Sequence, residues 1–209
     1  MSADGVVIRP SRETDVTEIA TIYGYHVLHG LGSFEEVPPE LDEIASRRRD
    51  IVARGLPYLV AERSGRVLGY CYAGPYRTRS AYRVTVDDSI YIDQTEAGRG
   101  LGRALLAALL DRCTELGYRQ MVAVIGGSDT LPSIRLHAAL GFTRAGVLPA
   151  VGFKFGRWVD IVLMQRGLGP GKTSAPAEIS SINGEMDHER RVSLGWSPMV
   201  RQPEPSSKV

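Results

Sequence analysis

Residues 96–110, EAGRGLGRALLAALL, run a glycine-dense loop straight into an apolar helical pattern. Glycines at 98, 100 and 102 let the backbone turn tightly and approach a ligand closely. A helix beginning near Leu101 aims unpaired N–H groups and the positive end of its dipole at the loop. Pyrophosphate is the natural guest of such a helix end, and Arg99 and Arg103 add charge-assisted contacts. The dinucleotide fingerprint G-x-G-x-x-G does not fit, because Arg103 stands where its last glycine belongs. A second stretch, GLGPGKT at 167–173, is no P-loop: Arg166 replaces the first glycine and no helical pattern follows. The residues alone leave open that the 98–102 loop is only a tight turn between strand and helix.

The rest of the chain sets that loop in a mixed α/β single domain. VVIRP (6–10) reads as a strand ended by proline. Val16, Ile19, Ala20, Ile22 and Tyr23 have helical spacing, and a second helix runs from the Pro38-Pro39 start towards Gly55. YLVAERSGRVLGYCYAGPY reads as two strands hinged at Ser64-Gly65, and YRVTVDDSIYID as a third, rich in β-branched residues. After the glycine loop and its helix come a buried strand (QMVAVIGG), a short helix closed by Gly141, and a last strand RWVDIVLMQR. The expected order is βα-α-βββ-α-β-α-ββ over residues 1–166. Residues 167–209 turn polar and rich in Pro, Gly and Ser, and are expected to form a disordered tail.

Composition narrows the function classes. The 209 residues carry a formal net charge of +1, so bulk electrostatics asks for neither nucleic acid nor an acidic membrane. Arg47, Arg48 and Arg49 read as a solvated helix face. No run of about twenty apolar residues is present, so no membrane span is expected, and the start lacks a secretory pattern. Cys71 and Cys113 read as buried free thiols in a reducing, cytoplasmic compartment. The histidines have no metal spacing, His26 and His29 read as surface residues, and no metal is expected. Lysine occurs only at 154, 172 and 208, which singles out Lys154 inside the domain.

The strand SIYID, the loop AGRGLG with its helix, the strand VAVIGG and then SIRLHAALGF together resemble the GNAT superfamily of N-acetyltransferases over about residues 6–166. GSFEE (32–36), AGPYRTRSAYRVTVDDSIYI and GFKFGRWVDIVLMQ resemble, within it, the phosphinothricin and methionine sulfoximine/sulfone acetyltransferase branch. The resemblance implies a twisted, mostly antiparallel sheet, splayed at the cofactor site and flanked by helices. It implies acetyl-CoA as cosubstrate: Ile90, Tyr91 and Ile92 as the strand along the pantetheine arm, and Gly98, Arg99, Gly100, Leu101, Gly102 and Arg103 around the pyrophosphate. Thr130 stands where relatives often carry a cofactor-touching asparagine. Ala97 replaces the usual Gln or Arg that begins the loop motif. His137 occupies a position where many relatives have tyrosine. A homodimer is implied, with Phe153, Lys154 and Trp158 near a subunit contact and the mouth of the site.

Acetyl transfer to an amine needs the amine neutral, hence a base within hydrogen-bond reach directly or through one water. The developing oxyanion needs a preorganised donor, expected to be a backbone N–H near Ile92. Asp87 and Asp88 are adjacent on a strand and face opposite sides, so one enters the cleft, and Asp87 is expected to be the base. The resembling branch has glutamate there. The shorter carboxylate leaves open a water relay or a share for Asp88. His137 is expected to protonate the leaving thiolate or to position the cofactor. Arg77 and Arg79, flanking Thr78, suit a substrate carboxylate, and Phe34 walls the side-chain pocket. The acceptor-binding set is then Phe34, Arg77, Thr78, Arg79, Asp87, Asp88 and Ser89. The expected reaction is acetyl transfer to the α-amine of a small amino acid or analogue, with detoxification as its role. A polyamine or protein N-terminus as acceptor, and an acyl-CoA-binding module without turnover, are the rival readings.

Overall fold

A computed structural model describes residues 5–128 and 130–176. Seven strands form one sheet in the order β1-β2-β3-β4-β5-β7-β6: β1 Val7–Pro10, β2 Tyr58–Arg63, β3 Arg66–Pro75, β4 Thr85–Ile92, β5 Gln120–Gly126, β6 Thr143–Lys154 and β7 Arg157–Gly167. The helices are α1 Val16–His29, α2 Leu41–Ala53, α3 Leu101–Glu115 and α4 Leu131–Ala139. The element order is the one the periodicities predict. Ser64 and Gly65 both have positive φ, 53° and 83°, the geometry of a two-residue turn that matches strand twist.

Every strand pair is antiparallel except β4–β5. That parallel pairing runs only from Thr85↔Gln120 to Asp88↔Ala123. Beyond it β4 continues to Ile92 and β5 to Gly126 without each other, so the sheet splays. Two hydrophobic clusters fill its faces. Leu105, Leu106 and Leu109 of α3 are fully buried with Val86, Met121 and Val162. On the other face Ile19 and Val27 of α1 and Ile44 of α2 pack on Tyr58, Tyr70 and Tyr91. Losing one such leucine to alanine costs about 2–5 kcal/mol.

Two expectations change. The domain edge expected at residue 166 falls short: β7 ends at Gly167, and Leu168 is 1% exposed in the core. Arg119 donates to the carbonyls of Gly171 at 2.9 Å and Ser174 at 2.8 Å and holds the following segment. The rest of the expected tail, 177–209, lies outside the described residues. The arginine triplet is not simply solvated: Arg48 is buried and donates to Ser11 Oγ at 2.8 Å and Ser11 O at 2.5 Å. Successive residues of a helix are turned by about 100°, so adjacent arginines meet different surroundings. Cys71 and Cys113 are buried and free, and burial pushes the Cys113 thiol up to about 12. Among the described residues no helix is long and apolar enough to cross a membrane.

Candidate active site

The site is built on the alternation of β4. Asp93 N donates to Leu68 O at 2.9 Å and Tyr76 N to Thr85 O, so odd-numbered residues of β4 bond to β3. The backbone groups of even-numbered residues face β5. Past the end of the parallel pairing, those of Ile90 and Ile92 face the splay. A ligand with amide groups can add there in sheet fashion. Side chains alternate as well: Asp88, Ile90 and Ile92 point to the α3 face, Asp87, Ser89 and Tyr91 to the α1–α2 face.

The cleft in the splay, about 440 Å³ including the part open to solvent, is lined by Asp88, Ile90, Val124, Gly126, Thr130 and His137 among others. At one end lies the glycine loop. Gly98 and Gly100 have φ of 78° and 82°, with open space where a side chain would stand. Gly100 precedes the first residue of α3, and Ala104 N is the first to donate back, to Gly100 O. The N–H groups of Leu101, Gly102 and Arg103 are therefore left for a ligand. Gly102 has Leu136 at 3.3 Å from where a Cβ would be, so a larger residue would push on α4. Arg99 is exposed and bonded to buried Glu96 at 3.2 Å, with Arg63 on the same carboxylate at 2.6 Å. Ala97 contributes no side-chain contact, and backbone donors remain. These features fit an anionic group at the helix start.

The structure separates the two aspartates. Asp88 Oδ2 lies 3.0 Å from His137 Nε2, and both side chains are 2% exposed. His137 Nδ1 sits 2.7 Å from the carbonyl of Ser133, so Nδ1 carries a proton and donates. Burial opposes charge on the ring, but the hydrogen bond and charge of Asp88 outweigh it, with Ser133 adding to them, and the pKa is raised. Asp88 does not share the Asp87 side, because strand alternation turns it to α3 and α4. Both nitrogens of His137 are engaged within the protein, which leaves neither ring N–H facing the cleft.

Asp87 is half-buried over Gly74, where a Cβ would lie 2.5 Å from its Oδ1. Burial first, then the charge of Asp88, push its pKa up. The backbone N–H groups of Asp87 and Gly74 and the charge of Arg77 pull against them. Arg77, Thr78 and Arg79 are exposed, and the Arg77 guanidinium, whose charge acts on Asp87, is 5.2 Å from the Tyr76 ring centre. Ser89 bonds to Tyr72 on the same face. Phe34 lays its ring against Gly152, 2.2 Å from where a Cβ would be. Thr130 spends its hydroxyl on Gly126 O at 2.7 Å and so joins the start of α4 to the end of β5.

Two residues make contacts at the site that the sequence did not show. His26, read as a surface histidine, donates from Nε2 to Ile92 O at 2.8 Å and pins the end of β4. Its only signal is a position on the inner side of α1, one turn from buried Ile22 and Tyr23. Lys154 is 2% exposed, and its ammonium donates to the carbonyls of Gly30 and Ser33. Its scarcity as a lysine was the signal. Phe153 and Trp158 pair edge to face at 5.3 Å and are 58% and 67% exposed.

A splayed β4–β5 pair with an open helix N-terminus at its mouth and a carboxylate on the far side of β4 defines an acyl-CoA-type acetyltransferase fold. Residues 24–142 match the family model "Acetyltransferase (GNAT) family". The chain belongs to this family. It is 52% identical over 169 residues to a phosphinothricin N-acetyltransferase of Alcaligenes faecalis, covering 81% of this chain and 86% of that one. It is 38% identical to an L-methionine sulfoximine/L-methionine sulfone acetyltransferase of Salmonella typhimurium, covering 77% and 93%. The crystal structure of a GNAT superfamily phosphinothricin acetyltransferase from Sinorhizobium meliloti in complex with AcCoA superposes with a TM-score of 0.81. That protein is 46% identical, with 83% of this chain and 94% of that chain covered.

Proposed function

We propose that the chain transfers the acetyl group of acetyl-CoA to the α-amine of a small amino acid or analogue of the phosphinothricin, methionine sulfoximine or methionine sulfone type. The observation that carries this reading is the two-sided β4. Its backbone edge at Ile90 and Ile92 faces the splay, with the Ile92 carbonyl held by His26 and the Ile92 N–H left over, and the Asp87 carboxylate lies on the other side beside Arg77.

Acetyl-CoA, when bound, supplies a thioester whose thiol has a pKa of about 8.5 and leaves with little acid assistance. The N–H groups of Leu101, Gly102 and Arg103, with Arg99 and Arg103, hold its pyrophosphate. The backbone of Ile90 and Ile92 aligns the pantetheine arm, with Tyr91 between them and Thr130 on the far wall. Arg77 grips the acceptor carboxylate, with Thr78 and Arg79 beside it, and Phe34 walls the side chain. Asp87 takes the proton from the acceptor ammonium, directly or through one water, and a raised carboxyl pKa suits that task. The Ile92 N–H faces the splay and donates to the oxygen on which negative charge develops. Asp88 and His137 form the polar floor on the cofactor side.

The protein works in the cytoplasm, as a homodimer, in detoxification of such amines. An exposed aromatic pair on the sheet-edge hairpin supports the dimer.

The test is release of CoA thiol, read with a thiol reagent. The acceptor panel is phosphinothricin, methionine sulfoximine, methionine sulfone, common amino acids, spermidine and a short peptide. Turnover on the first three, lost in Asp87→Ala, is the expected result. Turnover on spermidine or peptide alone removes the amino-acid acceptor. Acetyl-CoA binding without any turnover replaces the enzyme with a binding module.

A further inference from the structure

The segment between α1 and α2 crosses the mouth of the splay, and its attachments lie on both sides of the opening. On the β4 side Tyr91 Oη donates to Gly32 O at 3.3 Å. Three strand positions away, on β6, Lys154 Nζ donates to Gly30 O at 3.0 Å and Ser33 O at 2.7 Å. Between these anchors Leu31 O passes over the end of β5, 2.1 Å from where a Gly126 Cβ would lie. Phe34 then settles on Gly152. Ser33 Oγ is held at 2.8 Å by Tyr23 Oη.

Lys154 is an unusual choice for this task. It is buried, yet among the described residues it has no carboxylate within ion-pair distance. Its charge is met by two carbonyl dipoles and the face of Phe155 at 4.9 Å, with the charges of Glu36 and Glu35 acting on it from farther away. A buried ammonium with no carboxylate in contact is expensive, and a hydrophobic residue at this place would pack without that cost. What the ammonium adds is one atom that gathers two carbonyls, three residues apart in the loop, and fixes them to β6.

We infer that residues 30–34 are a strap spanning the β4–β5 opening, and that Lys154 is a positioning residue that sets the acceptor wall through it. The inference rests on the proposed amine acceptor for its kinetic signature. Lys154 touches neither substrate. By fixing Gly30 and Ser33 it fixes where Phe34 stands relative to Asp87 and how wide the splay is at Gly32.

The experiment compares full-length wild type, Lys154→Met and Tyr91→Phe, which release the two ends of the strap separately. Both variants are expected to raise the acceptor KM at least tenfold, and in Lys154→Met the acetyl-CoA Kd stays within twofold. In Lys154→Ala, propylammonium is expected to restore part of the acceptor KM, after subtraction of its own acetylation. Amide hydrogen exchange at residues 30–34 is expected to accelerate at least tenfold in Lys154→Met, with α3 unchanged. An unchanged acceptor KM in both variants overturns the inference. So does a parallel rise of both substrates' constants in Lys154→Met. If the wild type turns over no amine, the proposed function fails and exchange alone decides the strap: unaltered exchange at 30–34 overturns it, and local acceleration upholds it. Should Lys154→Met fail to fold, Lys154→Gln carries the same comparison.

Discussion

His137 and Asp88 form a buried pair, Nε2 to Oδ2 at 3.0 Å, with the other ring nitrogen committed to Ser133 O at 2.7 Å. Asp88→Asn removes the group that raises the His137 pKa. A histidine whose folded pKa exceeds its unfolded value contributes stability that is complete below about 6.5 and is lost as pH rises through the folded pKa. The variant is expected to be less stable by about 3 kcal/mol at mildly acid pH. The gap should narrow as pH rises above neutrality. Urea melts of both proteins from pH 5 to 9 check this, and a gap that widens with pH contradicts the charged pair.

Asp87 gives a prediction of the opposite kind. Burial and the Asp88 charge raise its pKa, so as a base it is active above that value and lost as pH falls through it. The acid limb of kcat/KM is expected above the ordinary aspartate value of about 3.9. Asp87→Ala should lower kcat by about 10²–10⁴-fold and leave acetyl-CoA affinity within twofold by calorimetry. Asp87→Glu should keep most of the rate. A pH profile that is unchanged in Asp87→Ala assigns the proton to another group.

At the glycine loop before α3, the proposed pyrophosphate site, strain can be separated from crowding. Gly98 and Gly100 both have positive φ and open space around a built Cβ. Gly98→Ala and Gly100→Ala then cost about 1–2 kcal/mol each from the left-handed backbone alone. If the loop relaxes to escape that strain, the open N–H groups of α3 move, and acetyl-CoA Kd is expected to rise with acceptor KM unmoved. Equal affinity in both variants would place the phosphates elsewhere.

The loop, the helix behind it and the order of strands were legible because each has a short-range signature: glycine at positive φ, a 3.6-residue apolar period, β-branched runs. Alternation on one strand foretold that Asp87 and Asp88 face opposite sides, as they do. The Asp88–His137 pair was not, since it joins positions 49 apart in sequence and only the packing of α4 on the splayed strand brings them together. Lys154 and the Gly30–Ser33 carbonyls are 121 to 124 apart. Arg48 and His26 were misread for a related reason. Polar residues on a helix look solvated until the tertiary partner, here Ser11 O or Ile92 O, is known. Leu168 lay in a polar stretch, and one buried residue carries no periodicity.

The outer hairpin makes a last prediction. β6 is an edge strand of the sheet, and Val151, Phe153, Phe155 and Trp158 on this hairpin are 51–67% exposed. An apolar edge of this kind is an association surface unless charged or covered. Lys154 is turned inward from the same strand, so the hairpin shows aromatics outward while its one ammonium is hidden. A second copy of the chain is the proposed cover. Sedimentation velocity at micromolar concentration is expected to give a dimer for the wild type and a monomer for the Phe153→Asp, Trp158→Asp double variant. Because Lys154 ties this strand to the strap, the monomeric variant should also lose acceptor affinity severalfold while binding acetyl-CoA normally. A monomeric wild type at every concentration would remove the dimer. A monomeric variant with intact acceptor kinetics would uncouple the hairpin from the site.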